Sequence, residues 1–195
     1  WSAWVRPLPD LIETFDENRA AAQRPAAPVV LVNMPLAGVE RPSLALSLLK
    51  AELTAGSVGT TVAYANLWYL EYIGLVHHKM LEMNRPEDAL VDWLFSHLAF
   101  PDFRPDPEAF LTAHLEGQGL KDPATRDALR ATLLTLRSQS AEFIEWSVDK
   151  ILAHQPSIVG CSTVFAQHVA SLALLRRIRE RAPHVITVMG GANCE

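Results

Sequence analysis

The chain has 195 residues, 49% of them hydrophobic and 20% charged, which suits one soluble globular core with room for an insertion. Its formal net charge of −5 argues against a nucleic-acid footprint. No stretch is long and apolar enough to span a bilayer, and Trp1-Ser2-Ala3-Trp4 lacks the basic start and apolar run of a signal peptide.

With Trp1 in place of an initiator Met, a processed, trimmed or excerpted chain is expected. Only Cys161 and Cys194 are present. They lack metal-motif spacing and make a weak disulfide framework, so the cytoplasm is the expected compartment.

Residues 1–28 read as an N-terminal arm with Pro7, Pro9, Pro25 and Pro28, and room for a short helix over Pro9–Ala22. Val29–Asn33 is a continuous apolar run, the pattern of a strand buried on both faces. Met34–Arg41 is a loop. Pro42 and Ser43 open a helix to about Ala55, because Pro is tolerated in a first turn. Leu44, Leu48 and Leu49 are its expected buried stripe, and Gly56 ends it. Thr60–Ala65 is rich in β-formers and reads as the second strand.

From Leu67 to His154 the pattern is helical. Helices are expected over Leu67–Met83 and Pro86–Ala99. A proline-rich break covers Pro101–Pro107, a short helix Pro107–Glu116, and a turn Gly117–Gly119. Pro123–His154 reads as one or two longer helices. A crossover between parallel strands needs far fewer residues, so about 67–154 is expected to be a helical insertion packed near the sheet. The third strand is expected over Ser157–Cys161 and the fourth over Val185–Met189, joined by a helix over Phe165–Arg181.

This order predicts an α/β fold, a doubly wound parallel sheet with right-handed crossovers. The flavodoxin-like strand order places strand one between strands two and three and leaves strand four at an edge. Strand four is apolar and ends in Gly190-Gly191, as an interior strand would. An exposed edge of that kind is a liability, so the sheet is expected to be truncated at its C-terminus.

Ligands of such sheets bind at the strand C-termini. Asn33-Met34-Pro35-Leu36-Ala37-Gly38 there lacks a dinucleotide glycine fingerprint, and no phosphate-loop Gly-Lys-Ser/Thr occurs. Ser162 and Thr163 place two hydroxyls after strand three, and Gly190 and Gly191 give bare backbone after strand four. The set suits a large flat or elongated ligand.

Other residues point to structure. Adjacent His77 and His78 diverge on a helix and read as a solvated pair. His168 could cap or hydrogen-bond. Asp88 and Asp92, at i and i+4, read as a solvated face. Trp68, Trp93 and Trp146 read as core, and Cys161 as a buried small thiol. Arg176, Arg177, Arg179 and Arg181 suit a helix C-terminus.

Ser157-Ile158-Val159-Gly160-Cys161-Ser162, a helix, then Val188-Met189-Gly190-Gly191 resembles the latter part of cobalamin-binding domains in radical S-adenosylmethionine enzymes. Val30-Leu31-Val32-Asn33-Met34-Pro35, Glu40-Arg41-Pro42-Ser43-Leu44 and Leu48-Leu49-Lys50-Ala51-Glu52-Leu53 resemble the start of one subfamily. Tyr64-Ala65-Asn66-Leu67, Asp92-Trp93-Leu94-Phe95 and Gly190-Gly191-Ala192-Asn193-Cys194-Glu195 continue it. That subfamily is the radical S-adenosylmethionine C-methyltransferases of ribosomal peptide (RiPP) maturation, and the resemblance runs in order from Pro28 to Glu195.

The resemblance implies a Rossmann-like cobalamin-binding domain over 29–195, with a catalytic barrel following in sequence. That barrel carries S-adenosylmethionine and a four-iron, four-sulfur cluster on CxxxCxxC, a motif this chain lacks, so these residues alone are not expected to catalyse. The Asp-x-His-x-x-Gly motif for a histidine lower ligand is also missing, and the implied cobalamin is base-off and His-off. Cys161, Ser162, Thr163 and Val164 would receive its nucleotide tail. Gly190, Gly191, Ala192 and Asn193 would flank the tail or corrin edge. Asn33, Met34, Pro35 and Leu36 would face the lower side, and Arg41 could reach a propionamide. The implied substrate is a precursor peptide, with neither nucleic acid nor membrane as partner. Two other readings stand beside it: a receiver-like signalling domain, which lacks the expected acidic cluster, and a non-catalytic flavodoxin-like ligand- or peptide-binding module.

Overall fold

Four runs of β-branched and small residues form one parallel sheet in the computed structural model, which describes residues 28–84, 89–119 and 122–194. The strands are β1 (Val29–Asn33), β2 (Thr60–Tyr64), β3 (Ile158–Ser162) and β4 (Ile186–Gly190), in the order β2-β1-β3-β4. The fold is α/β, with the flavodoxin-like placement of β1 between β2 and β3. β3 and β4 each lie one residue later than expected, and β2 ends one earlier. The expected N-terminal arm helix, Pro86 and Asp88 lie outside the described residues.

Six helices accompany the sheet among the described residues: α1 (Leu44–Ala55), α2 (Ala65–Glu82), α3 (Leu90–Ala99), α4 (Pro107–Gly117), α5 (Pro123–Leu152) and α6 (His168–Arg181). Several start where short polar side chains can cap free amides. Leu46 N donates to Ser43 Oγ, Glu108 N to Asp106 Oδ1 and Thr125 N to Asp122 Oδ2. Pro107 and Pro123 occupy first-turn positions, where a missing N–H costs nothing. Residues 123–152 form one helix, not two. α2 follows β2 directly and kinks at Gly74, whose φ of 79° is left-handed.

Register assigns the two faces of the sheet. Val29, Leu31, Val62 and Ile158 share one face with Leu46 and Leu53 of α1. Val30, Val32, Ala63, Val159 and Cys161 share the other, which carries the larger core built from α2 to α6. α3 packs on α5 and α6, and α5 on α2 and α6. The helical stretch therefore packs on itself and covers one face. Tyr69, Phe95 and Phe143 sit at its centre, with Tyr69 and Phe143 edge-to-face at 4.8 Å.

The expected stripe on α1 is corrected. Leu44, Leu48 and Leu49 are 73%, 59% and 49% exposed, and Leu46 is the buried leucine. Leu46 and Leu53, seven residues apart, share the face that meets the sheet, while Leu44 and Leu48 lie about half a turn round the helix from it. The tryptophans are core in part: Trp93 is buried, while Trp68 and Trp146 are partly buried and pair edge-to-face under Lys150. The α6 arginines are solvated helix-end cations, with Arg176 and Arg177 paired to Glu180, Arg177 and Arg181 to Glu145, and Arg181 to Asp149.

The solvated histidine pair is also corrected. His77 Nδ1 lies 2.7 Å from the Ile73 carbonyl, and His78 is fully buried. Burial is the largest effect on His78 and lowers its pKa, opposed by Glu82 and aided by Lys79. Burial and then Arg137 lower that of His97. Both groups bind protons more readily in the unfolded chain, so stability is expected to fall as pH drops through about 6.5, the unfolded histidine value. Urea midpoints at pH 7.5 and 5.5 check this. The His78→Gln variant should show a shallower decline, and equal midpoints for the parent chain would contradict it.

Candidate functional site

The C-terminal ends of β1, β3 and β4 meet at one edge, and their loops are tied together by specific bonds. Gln167, in a single 3-10 turn over Phe165–Gln167, is 5% exposed. Its Nε2 donates to the Met34 carbonyl at 2.8 Å and Asn33 Oδ1 at 3.4 Å, and its Oε1 accepts from Val164 N at 3.1 Å. One amide thus clamps the loop after β1 to the loop after β3. Thr163 N donates to the Gly190 carbonyl at 2.8 Å, and Thr163 Oγ1 donates to the same oxygen. Asn193 Nδ2 donates to the Phe165 carbonyl at 2.8 Å, which ties the β4 loop to the β3 loop.

The expected site residues divide by what they face. Met34 and Thr163 are fully buried, Pro35 is buried, and Leu36 packs on the core. Cys161 lies on the helical face, hydrogen-bonded to Ser171, where burial pushes its thiol up to about 12. The thiol is buried, as expected. Val164, Ala192 and Asn193 are exposed. Arg41 is exposed and without an ion pair among the described residues.

Gly191 is needed by the protein itself. Its φ is +107°, and a Cβ there would come within 2.8 Å of Thr163 N and closer still to the Thr163 carbonyl. The close neighbour is backbone from the β3 loop, whereas the sequence reading assigned that space to a ligand.

Ser162 and Gly190 are different. They pair in register with Asn33 on the face opposite the helical layer. Ser162 is part-exposed and its hydroxyl has no partner among the described residues. A Cβ on Gly190 would meet nothing within 4 Å, and one on Gly160 would touch only Leu31 Cδ2, at 3.4 Å. Small and part-exposed, Gly160, Ser162 and Gly190 therefore form a low strip of that face near the strand ends, a trough only in that no large side chain rises from it.

Three features went unread in the sequence. Gln167 was not read, since beyond its local bond to Val164 N its other partners, Asn33 and Met34, are about 133 residues away in the chain. Phe165, with φ of 53°, is 74% exposed in the turn after β3. Leu36, with φ of 65°, is a second left-handed residue at this edge, and such conformations persist only where surroundings enforce them. Asp92 is corrected from a solvated position: it is half-buried and its Oδ1 accepts from Val169 N at 3.4 Å, near the start of α6. Burial raises its pKa, against the Val169 amide and His168.

No group of three or more metal-ligating side chains occurs among the described residues, and no described helix is long and apolar enough to cross a membrane. Compared with known proteins, the chain matches no family model, no curated protein and no solved structure.

Proposed function

We propose that this chain is the cobalamin-binding portion of a radical S-adenosylmethionine methyltransferase that methylates unactivated carbons of a ribosomal peptide precursor. No CxxxCxxC lies within these 195 residues, so in this reading they do not supply the iron–sulfur cluster. The observation that carries the reading is the open trough of Gly160, Ser162 and Gly190 beside the loop after β1, on a parallel sheet whose strand ends are clamped together.

The residues present fit such a group. A long polar tail needs small residues underfoot and a free hydroxyl, and Gly190 and Ser162 supply both. Asn33-Met34-Pro35-Leu36 contains no histidine, so this loop offers no imidazole to a metal. Arg41 is an available cation for amide or phosphate oxygens. When bound, cobalamin would supply the methyl group delivered to the substrate carbon. This chain's share is to seat the tail and hold the loop after β1 rigid through Gln167. Cys161 and Thr163 then serve by packing, and Gly191 by its backbone, rather than by touching the cofactor.

Ser162→Leu and Gly190→Leu test the placement. Each side chain would enter the trough and should weaken cobalamin affinity roughly tenfold or more, at about 1.4 kcal/mol per factor of ten. The check is an absorbance titration with hydroxocobalamin, with folding confirmed by circular dichroism. Unchanged affinity in both folded variants would move the site elsewhere. A flavodoxin-like binding module for a different ligand would leave the hydroxocobalamin spectrum unchanged.

A further inference from the structure

Three helices each turn a row of side chains, spaced four residues apart, into one cleft of the helical layer. α4 and its C-cap give His114 and Gln118, and α5 gives Leu129 and Leu133. α2 gives Val76 and Met80, with Asn84 just beyond its end. Residues four apart share a helix face. The α2 wall begins directly after the kink at Gly74 and is completed by Leu75 and Met83. The floor is finished core, with Leu90 2% and Leu133 0% exposed, whereas Leu75, Val76 and Met83 are 55%, 80% and 84% exposed. Apolar side chains left exposed together around a recess form the kind of patch that marks a binding site, unlike scattered single ones. The cleft holds about 640 Å³, within the roughly 300–1,000 Å³ of small-molecule pockets.

The lining selects the chemistry of the occupant. Trp93, Phe110 and His114 form a ladder of parallel rings, with centroids 5.1 and 6.0 Å apart. The ladder starts at buried Trp93 and reaches the cleft at His114. Offset parallel stacking is favoured by aromatic quadrupoles, so a flat ring suits a cleft walled by such a ladder. Met80 and Met83 add thioethers, which make favourable contacts with aromatic ring edges. At the rim Gln118 Nε2 donates to Asn84 Oδ1 at 3.5 Å, longer than the usual range of about 2.7–3.2 Å. A ligand hydroxyl can join that loosely held amide pair. Lys79, also at the rim, is paired with Glu82 at 2.7 Å, so an uncharged ligand fits best.

We propose that this cleft binds a small, flat, uncharged aromatic molecule that carries a hydroxyl. Its rings lie against His114 and the methionine thioethers, and its hydroxyl lies beside Asn84 and Gln118. The site belongs to the helical layer and rests on nothing in the strand-end reading above.

Two probes test it. 2-Naphthol and decahydro-2-naphthol share a two-ring skeleton and one hydroxyl, and differ in flatness. Each is titrated into the 195-residue chain with the methionine methyls followed by nuclear magnetic resonance. 2-Naphthol should bind with a Kd of about 1 mM or tighter, within reach of a ligand of its size, and ring currents should shift the Met80 and Met83 methyls. The saturated probe should bind at least about tenfold more weakly. Val76→Glu places a charge at an exposed wall position, so it should leave the melting temperature unchanged and weaken 2-naphthol at least about tenfold. Phe110→Leu breaks the ladder and should bring the two probes to within about threefold of each other. Absence of any shift at Met80 and Met83 up to the solubility of 2-naphthol overturns the proposal. So does equal affinity of the parent chain for the two probes, which would mark a general apolar recess, or shifts confined to the strand-end loops. Hydroxocobalamin affinity should be the same in Val76→Glu and the parent chain, so the two proposals fail separately.

Discussion

Replacing Gly191 by Val is expected to destabilise the protein by about 3 kcal/mol or more, the sum of a strained left-handed residue and a backbone clash. The residue sits at φ +107°, with the Thr163 backbone where a Cβ would go. Neither side can move freely, because Thr163 is pinned to the Gly190 carbonyl through both its amide and its hydroxyl. Gly190→Ala is the matched control: open space surrounds its Cβ position, so a change within about 1 kcal/mol is expected. Urea unfolding of both variants checks the pair. Equal stability of Gly191→Val and the parent chain would show that the β3 and β4 loops are not held as described. Weakened ligand binding in Gly191→Val therefore says little about a ligand's position, which is why Ser162 and Gly190 carry that test.

Gln167→Ala should cost about 1–3 kcal/mol, since it removes a buried side chain and its bonds to both loops, while the Met34 carbonyl keeps the Ala37 amide as a donor. The Met34 carbonyl and the Val164 amide lose their side-chain partner together. Stabilities of small domains are about 5–15 kcal/mol, so the variant should remain folded with a lowered midpoint. The lesion should be local as well: amides in 33–36 and 163–165 should exchange faster, while the Tyr69–Phe143 core stays protected. A midpoint drop below about 0.5 kcal/mol, the size of an ordinary surface change, would mean that the two loops hold together without the clamp.

The sheet was legible because buried parallel strands are written as short unbroken apolar runs. Val29–Asn33 sits where the sequence places it, and the order β2-β1-β3-β4 follows from one long helical crossover and the direction of each step. Helix starts were legible wherever Ser or Asp stood before an apolar run or a Pro. Facing was less so. Leucines at 44, 46, 48, 49 and 53 offer two competing stripes, and periodicity cannot say which one meets a two-strand patch of sheet. His78 and Asp92 carry no mark of burial in the sequence, because burial comes from elements far along the chain. The loops at the strand ends were located correctly, but their division of labour was not legible. Of Cys161, Ser162 and Thr163, only Ser162 keeps a free hydroxyl, as strand alternation and the Thr163–Gly190 bonds determine. The Gln167 clamp was not read, since its bond to Val164 is local but its partner Met34 lies 133 residues away.

The most direct test of the account is the electron paramagnetic resonance spectrum of cob(II)alamin bound to the longest polypeptide that contains these residues. Asn33–Leu36 contains no histidine; if the proposed cofactor seats its tail over Ser162 and Gly190, the cobalt lines should carry no nitrogen superhyperfine splitting. Ser162→Leu should return the spectrum toward that of free cofactor. Three-line nitrogen splitting in the bound state, or a spectrum unchanged from free cob(II)alamin, would contradict the account.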